Sequence, residues 1–305
     1  MTAPKASPGR EGQTFGGTSR LIRYANFVKL PHTLFALPFA LVGVTIASYV
    51  KEVRLVDIGW VALAFTAARF AAMGFNRIAD RHIDALNPRT AGRELPSGTM
   101  SVREATLAVL SASAIFIGAA WMLNPLCFAL SPIALGWVLF YSYTKRFTRF
   151  AHLVLGIGMS IAPVGGYLAV TGAWSRPWWV LVALAAAVMS WGGGFDIFYA
   201  LQDIEFDRAQ GLHSLPARYG TGPAIAIART LHVGTVAMLT TAGIGIGAGA
   251  FYWAGVFVVA LLLIYEHSLV RPADLSRLDA AFFTMNGVLS VTFFCFVLVG
   301  RVFAQ

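Results

Sequence analysis

An all-α bundle of membrane-spanning helices is the fold class this sequence predicts, and three observations carry it. Hydrophobic residues make up 57% of the 305-residue chain and charged residues only 12%, whereas soluble domains carry roughly 25% charge. Apolar runs of about 20 residues, the length needed to cross the hydrocarbon of a bilayer, recur along the chain. The cations, finally, are not scattered but gather in alternate connections between those runs.

Taken in order, the chain opens on a polar stretch bearing Gly, Ser and Pro, which predicts a disordered tail over residues 1–20 and a single transmembrane domain over 21–305. Apolar runs at 30–50, 57–75, 103–122, 125–143, 152–171, 178–196, 222–245, 250–269 and 281–301 predict about nine spans. The first is too long for the core of a signal peptide and reads as a retained span. The longest polar connections are 76–102 and 197–221, and both follow an even-numbered span, so they open on the same side. No soluble domain is inserted. Cys127 and Cys295 both lie in apolar runs, which predicts buried free thiols and no disulfide framework.

The net charge of +9 points to nucleic acid, to an anionic membrane, or to topology. With the N-terminus cytoplasmic, only Lys51, Arg54, Arg176 and Arg301 fall outside, Arg69 lies within a span, and every other Lys and Arg falls inside. That asymmetry follows the positive-inside rule. The charge therefore reads as topology plus an anion held by the inner loops, with no nucleic-acid partner. A cell inner membrane location follows, with the site opening to the cytoplasm.

Two stretches concentrate the acidic residues. "FNRIADRHIDALNPR" (75–89) places Asn76, Asp80 and Asp84 at four-residue steps, and "FDIFYALQDIEFDR" (195–208) carries Asp196, Asp203 and Asp207. At 100° per residue the first three share about 80° of a helix circumference and the second three about 40°. Arg69, seven residues before Asn76, falls on the face of the first motif, whereas His82 and Glu205 point away. Carboxylates ~5 Å apart repel by about 3 kcal/mol per pair at an effective dielectric near 20. A divalent cation relieves that, and an all-oxygen Asp/Asn set suits Mg2+ bridging to phosphate oxygens. Gly192, Gly193 and Gly194 precede the second motif, weaken the helix and allow a close approach by a backbone or a ligand. Basic residues supply the complementary half: Arg89 and Arg93 beyond the first motif, and Lys145, four residues after Tyr141, with Arg146 at the end of the fourth run. Arg149 reads as a membrane-surface anchor. Acids, Mg2+ and a basic rim together match the needs of a diphosphate.

"NRIADRHID" resembles the first aspartate motif of the UbiA superfamily of intramembrane aromatic prenyltransferases, and "DIFYALQDIEFD" its second. "YSYTKR" (141–146) and "RTAGRELPSG" (89–98) are similar to two further elements of that family, in the same order along the chain. Two positions depart from it: Glu94–Leu95–Pro96 where many relatives read Arg-Pro-Leu, and His213 where many have Lys. The resemblance is closest to the 4-hydroxybenzoate polyprenyltransferase-like branch. It implies a Mg2+-dependent transfer of a polyprenyl group from a polyprenyl diphosphate, its tail open to the lipid bilayer. The implied acceptor is an aromatic acid, 4-hydroxybenzoate or a dihydroxynaphthoate, on a route to ubiquinone or menaquinone. By the same resemblance Asn76, Asp80, Asp84, Asp203 and Asp207, with Asp196 added, hold the metal and diphosphate, and Lys145, Arg89, Arg93 and Arg146 contact the anion. Arg69 either pairs with the acids of its own face or clamps the carboxylate of the aromatic acid; an arginine inside a span is costly and by default functional. Tyr141 and Tyr199 either orient the ring or pack at the interface. A cation-coupled transporter is the rival reading, but it would carry its acids at mid-membrane.

Overall fold

The computed structural model describes residues 15–17, 19–272, 274, 275, 277, 278 and 284–303, with side chains omitted over 30–35. Most of the tail expected over 1–20 lies outside these residues. Where the description begins, Phe15 exchanges two hydrogen bonds with the Asn26 side chain.

Every regular element among the described residues is helical: α1 (Arg20–Phe27), α2 (Leu30–Ala47), α3 (Leu55–Leu86), α4 (Val102–Leu123), α5 (Pro125–Thr144), α6 (Ala151–Thr171), α7 (Trp179–Ala200), α8 (Ile204–Ala209), α9 (Leu215–Tyr219), α10 (Thr221–Gly245), α11 (Ala250–Leu269) and α12 (Asn286–Phe303). Eight of these are long and apolar enough to cross a membrane, with α8 continuing from α7. The ninth expected span is α2, whose described apolar stretch, Ala36–Ala47, is shorter than the rest. The seventh and eighth spans part at Gly247, whose φ of 61° reverses the chain between α10 and α11.

Local chemistry sets the boundaries. The Ser101 side chain caps α4 by accepting from the Glu104 N–H. Asn124 does the same for α5, ahead of Pro125, while its amide donates to Leu168 and Ala169 at the far end of α6. Thus α5 and α6 are joined at the end opposite the aspartates. At 1.5 Å per residue the 32 residues of α3 run about 48 Å, beyond the ~30 Å of hydrocarbon. About 20 residues from Leu55 reach residue 75, so Asn76 begins roughly where the apolar slab ends.

At the centre stands α7, with 78% of its most apolar window inside the protein against 11% for α5. Trp191 of α7 packs on Phe39 of α2 at 4.8 Å and on Phe195 at 5.0 Å, and its indole N–H donates to Asn286 Oδ1 of α12 at 2.7 Å. Small residues draw the helices together, as expected where lipid supplies no hydrophobic drive between them. A Cβ at Gly43 or Gly166 would lie 2.0 Å from a backbone oxygen across the α2–α6 crossing. The expected weak point at Gly192–Gly194 is a buried, unbroken part of α7. Its glycines serve close approach: Gly192 faces Gly156 of α6, and a Cβ on Gly194 would sit 2.3 Å from His232 Nε2. Cys127 is half-buried and free; Cys295, expected to be buried, is exposed and free.

Candidate active site

The end of α3 carries the first acidic motif, and its four-residue spacing acts as expected. Asn76 donates to Asp80 Oδ2 at 2.9 Å, one helical turn on. Asp80 Oδ1 accepts from Arg146 at 3.1 Å, across from the end of α5, and the same guanidinium donates to Ala79 O at 2.7 Å. Asp84 is buried and accepts from Arg93 at 2.7 Å through Oδ1, while its Oδ2 is buried with no hydrogen-bond partner.

The loop after α3 then folds back onto the second motif. Asn87 donates to Asp203 Oδ1 at 3.1 Å and accepts from the Arg89 N–H at 3.0 Å. Arg89 grips both oxygens of Asp203, Nε on Oδ1 at 3.0 Å and Nη2 on Oδ2, and donates through Nη1 to the Tyr199 hydroxyl at 2.7 Å. Its guanidinium also lies over the Tyr199 ring, 4.9 Å from the centroid.

The second motif is not one continuous α-helix. A 3-10 turn over Leu201–Asp203 separates α7 from α8, and its tighter winding advances each residue by about 120° rather than 100°. Asp196, Asp203 and Asp207 all lie in the field of Lys145, and each also meets a partner of its own. Asp203 takes Arg89. Asp196 accepts from His152 Nδ1 of α6 at 2.6 Å, and the Leu215 N–H donates to the other ring nitrogen at 3.3 Å. With Nε2 accepting, the proton sits on Nδ1 and is directed at Asp196. Asp207 accepts from Ser214 at 2.9 Å and lies 4.0 Å from Lys145 Nζ, the outer edge of an ion pair.

Lys145 joins the two motifs. Burial works against its charge, but Asp207, Asp196, Asp203 and Asp80 together outweigh burial and hold its pKa above the ordinary lysine value. Its carbonyl accepts from the His213 N–H at 2.7 Å, which ties the α8–α9 connection to the end of α5. His213 itself is exposed, as are His82 and Glu205, the two residues expected to point away from the site.

Three expectations change in detail. Arg89 and Arg93, read as diphosphate contacts, are bound to Asp203 and Asp84. The mutual repulsion of the acids is relieved here by cations and hydrogen-bond donors matched to each: Arg146, Arg93, Arg89, His152 and Lys145. Among the described residues Arg69 makes no ion pair with the acids of its face; Asp80 is met instead by Arg146, two residues beyond the end of α5. The Nε of Arg69 is buried without a hydrogen-bond partner, and its electrostatic neighbour is Tyr141, which also lies in the field of Asp196 and Asp80.

Among the described residues no three His, Cys, Asp or Glu side chains form a preassembled metal cage. The donor chemistry nonetheless fits Mg2+. The acids present hard oxygens, and the buried Asp84 Oδ2 has an acceptor position open. Asn87, His152 and Ser214 were not foreseen from sequence. The only local signals for them are Asn87 at the end of α3 and Ser214 as the cap of α9, and neither reveals a partner more than a few residues away.

The fold and the site together define a class: a polytopic, all-helical membrane protein whose two acidic motifs converge with a basic rim at one end of the bundle. The pattern of the UbiA prenyltransferase family matches residues 36–288. A 4-hydroxybenzoate octaprenyltransferase of Aromatoleum aromaticum is 30% identical over 237 residues, 78% of this chain and 79% of that one. Another from Vibrio cholerae is 32% identical over 221 residues, 72% of this chain and 76% of that one. The apo structure of a UbiA homolog from Aeropyrum pernix K1 superposes with a TM-score of 0.77 at 33% identity, covering 90% of this chain and 98% of that one. A UbiA homolog from Archaeoglobus fulgidus bound to GPP and Mg2+ shares the fold, with a TM-score of 0.71 at 22% identity over 92% and 99% of the two chains. The chain belongs to the UbiA prenyltransferase family and is a membrane-bound prenyltransferase.

Proposed function

We propose that this chain transfers a polyprenyl group from a polyprenyl diphosphate to a ring carbon of 4-hydroxybenzoate, in quinone biosynthesis at the cell inner membrane. The observation that carries this reading is Lys145, placed in the shared field of Asp80 from one motif and Asp196, Asp203 and Asp207 from the other. A cation so placed, at the membrane-surface end of the bundle, faces a diphosphate whose tail runs back into apolar surroundings.

Asn76, Asp80, Asp84, Asp203 and Asp207, with Asp196 beside them, are the residues that would hold Mg2+. When bound, the metal supplies positive charge to the diphosphate oxygens. Lys145, Arg146, Arg89 and Arg93 hydrogen-bond that anion as the allylic C–O bond breaks and its electron pair departs with the diphosphate. Arg89 and Arg93 must exchange their present carboxylate partners for phosphate oxygens to do so. The carbocation is captured by a carbon of the phenol ring, a C–C bond forms and the ring proton is released. The apolar, membrane-spanning surroundings favour exclusion of water, which would otherwise take the cation.

Arg69 fits the acceptor. A half-buried arginine whose Nε is buried without a hydrogen-bond partner, next to Tyr141, offers a planar fork to the carboxylate of an aromatic acid. Tyr199 is held by Arg89 and so sits on the diphosphate side. With the N-terminus cytoplasmic by charge asymmetry, the site opens to the cytoplasm. The rival transporter reading loses its support, since the carboxylates stand at helix ends and each is matched to a cation or a hydrogen-bond donor.

The test is a membrane assay with Mg2+ and a polyprenyl diphosphate, offering 4-hydroxybenzoate and a dihydroxynaphthoate separately. Prenylated 4-hydroxybenzoate, absent with chelator and with Asp80→Asn, is the expected result. Product from the naphthoate alone would move the protein to the menaquinone route. Prenylation that persists in chelator would remove the metal from the reading.

A further inference from the structure

Outside the aspartate site, on the same end of the bundle, a cleft of about 510 Å³ opens between the α5–α6 connection and the α8–α9 segment. Arg149, Arg208, Arg218 and His213 line it, and among the described residues no acidic residue does. Two of the guanidiniums, those of Arg208 and Arg149, are set in place by uncharged neighbours. Arg208 Nε donates to the Ala217 carbonyl at 2.8 Å, and Arg149 lies over two rings, 5.1 Å from the centroid of Phe150 and 5.7 Å from that of Tyr219.

Directly beside it lies a second hollow of about 290 Å³ with the opposite character. Leu153 of α6, Ile227 and Leu231 of α10 and Leu215 of α9 form its walls, and Phe150 belongs to both hollows. Two of its wall residues pack against α7, where a Cβ on Gly193 would stand 3.3 Å from Leu153 and 3.4 Å from Leu231. The side chains of Phe147, Phe150 and Tyr219 at the mouth are 58%, 47% and 44% exposed, aromatic groups where a membrane protein meets the interface.

We propose that the two hollows form one binding site for an anionic phospholipid, its phosphate in the basic cleft and an acyl chain along the groove between α6 and α10. Arg149 marks the neck between head and tail. Charge complementarity selects the occupant. A phosphodiester needs cations alone, whereas a prenyl diphosphate brings a metal that needs carboxylates, and the described residues of the cleft include none. The site abuts the active site without sharing its ligands, because Ser214 lines the cleft and also donates to Asp207. A lipid seated there bears on the segment that holds Asp207.

The experiment is native mass spectrometry of the full chain in neutral detergent, titrated with phosphatidylglycerol and phosphatidylcholine of equal chain length. Phosphatidylglycerol is expected to be retained at about 10–30-fold lower concentration, the gain of two arginine–anion contacts near a membrane surface. Arg149→Ser with Arg218→Ser should erase that preference, while Arg54→Ser at the opposite end leaves it intact. Dihexanoyl phosphatidylglycerol, with chains too short to follow the groove, should bind more weakly than the long-chain lipid, a comparison that needs no variant to fold. Equal retention of the two headgroups, or preference surviving in the double variant, overturns the head site. Equal binding of short and long chains overturns the groove. Displacement of the lipid by geranyl diphosphate at equal concentration would make the cleft a substrate entrance and overturn the lipid assignment.

Discussion

Arg89 grips Asp203 through both carboxylate oxygens, across 114 residues of sequence, and with its remaining amine holds the Tyr199 hydroxyl at 2.7 Å. The loop after α3 is thereby latched to the 3-10 turn after α7, so the two acidic motifs are held facing one another by a cation from between them. The same arginine is a diphosphate ligand in the proposed reaction, so substrate binding must open this pair.

Removing Arg89 should cost both fold and function. Arg89→Ala leaves the buried Asp203 with the Asn87 amide as its remaining named donor. The loss should be about 1–3 kcal/mol, below the ~3–5 kcal/mol of a fully buried pair because Arg89 is partly exposed. Thermal unfolding in detergent reads it. Adding Asp203→Asn should recover part of the loss, and strictly additive losses would show that the pair is not coupled.

Asp84 serves both metal binding and fold. Its Oδ2 has no partner while its Oδ1 pairs with the buried Arg93, so Asp84→Asn keeps an acceptor for Arg93 but gives up a hard anionic oxygen and the counter-charge. The Mg2+ concentration for half-maximal prenylation should rise by at least about 10-fold, and the unfolding midpoint should fall as the buried Arg93 loses its partner's charge. An unchanged Mg2+ dependence would take Asp84 out of the metal set.

His152 positions Asp196 rather than reacting. Both its nitrogens are engaged, with Asp196 at 2.6 Å and the Leu215 N–H at 3.3 Å. His152→Ala strands a buried carboxylate and a buried N–H, at about 1–3 kcal/mol for each unsatisfied group. A larger fall in kcat than in affinity for either substrate is expected. His152→Gln, which can still donate and accept, should restore part of both.

Arg69→Lys tests the acceptor clamp. A lysine keeps the charge but loses the planar fork, so KM for the aromatic acid should rise about 10–100-fold while KM for the prenyl diphosphate holds. If the aromatic KM stayed level and only stability fell, Arg69 would be a packing residue.

Gly194 is tested by a paired substitution. Its missing Cβ leaves room for the His232 ring, 2.3 Å from where that carbon would lie. Gly194→Ala should destabilise by about 1–3 kcal/mol through overpacking. Combining it with His232→Ala should bring the two costs well below their sum, as expected for residues in contact.

Much of the fold was legible because its signals are local. Apolar runs located the spans, and four-residue steps correctly put Asn76 beside Asp80. After residue 200 the helical period was less complete, because a 3-10 turn over Leu201–Asp203 interrupts the helix between Asp196 and Asp207. Arg69 illustrates the other limit. Its place on the face of the first motif was readable, but Asp80 is met by Arg146 from the turn after α5.

Sequence by itself determined the membrane architecture, the identity of the acids, and the basic residues available to them, because hydropathy and helical period are properties of neighbouring residues. Only the tertiary structure decided which cation or donor meets which carboxylate: Arg146 on Asp80, Arg93 on Asp84, Arg89 on Asp203, His152 on Asp196 and Lys145 near Asp207. Partners such as His152 and Asp196, 44 residues apart, are brought together by how α6 and α7 cross. That crossing depends on packing as close as Gly156 against the Met189 carbonyl, where a Cβ would lie 2.2 Å from the oxygen. Helix period sets the face a residue occupies; backbone approach sets what that face meets.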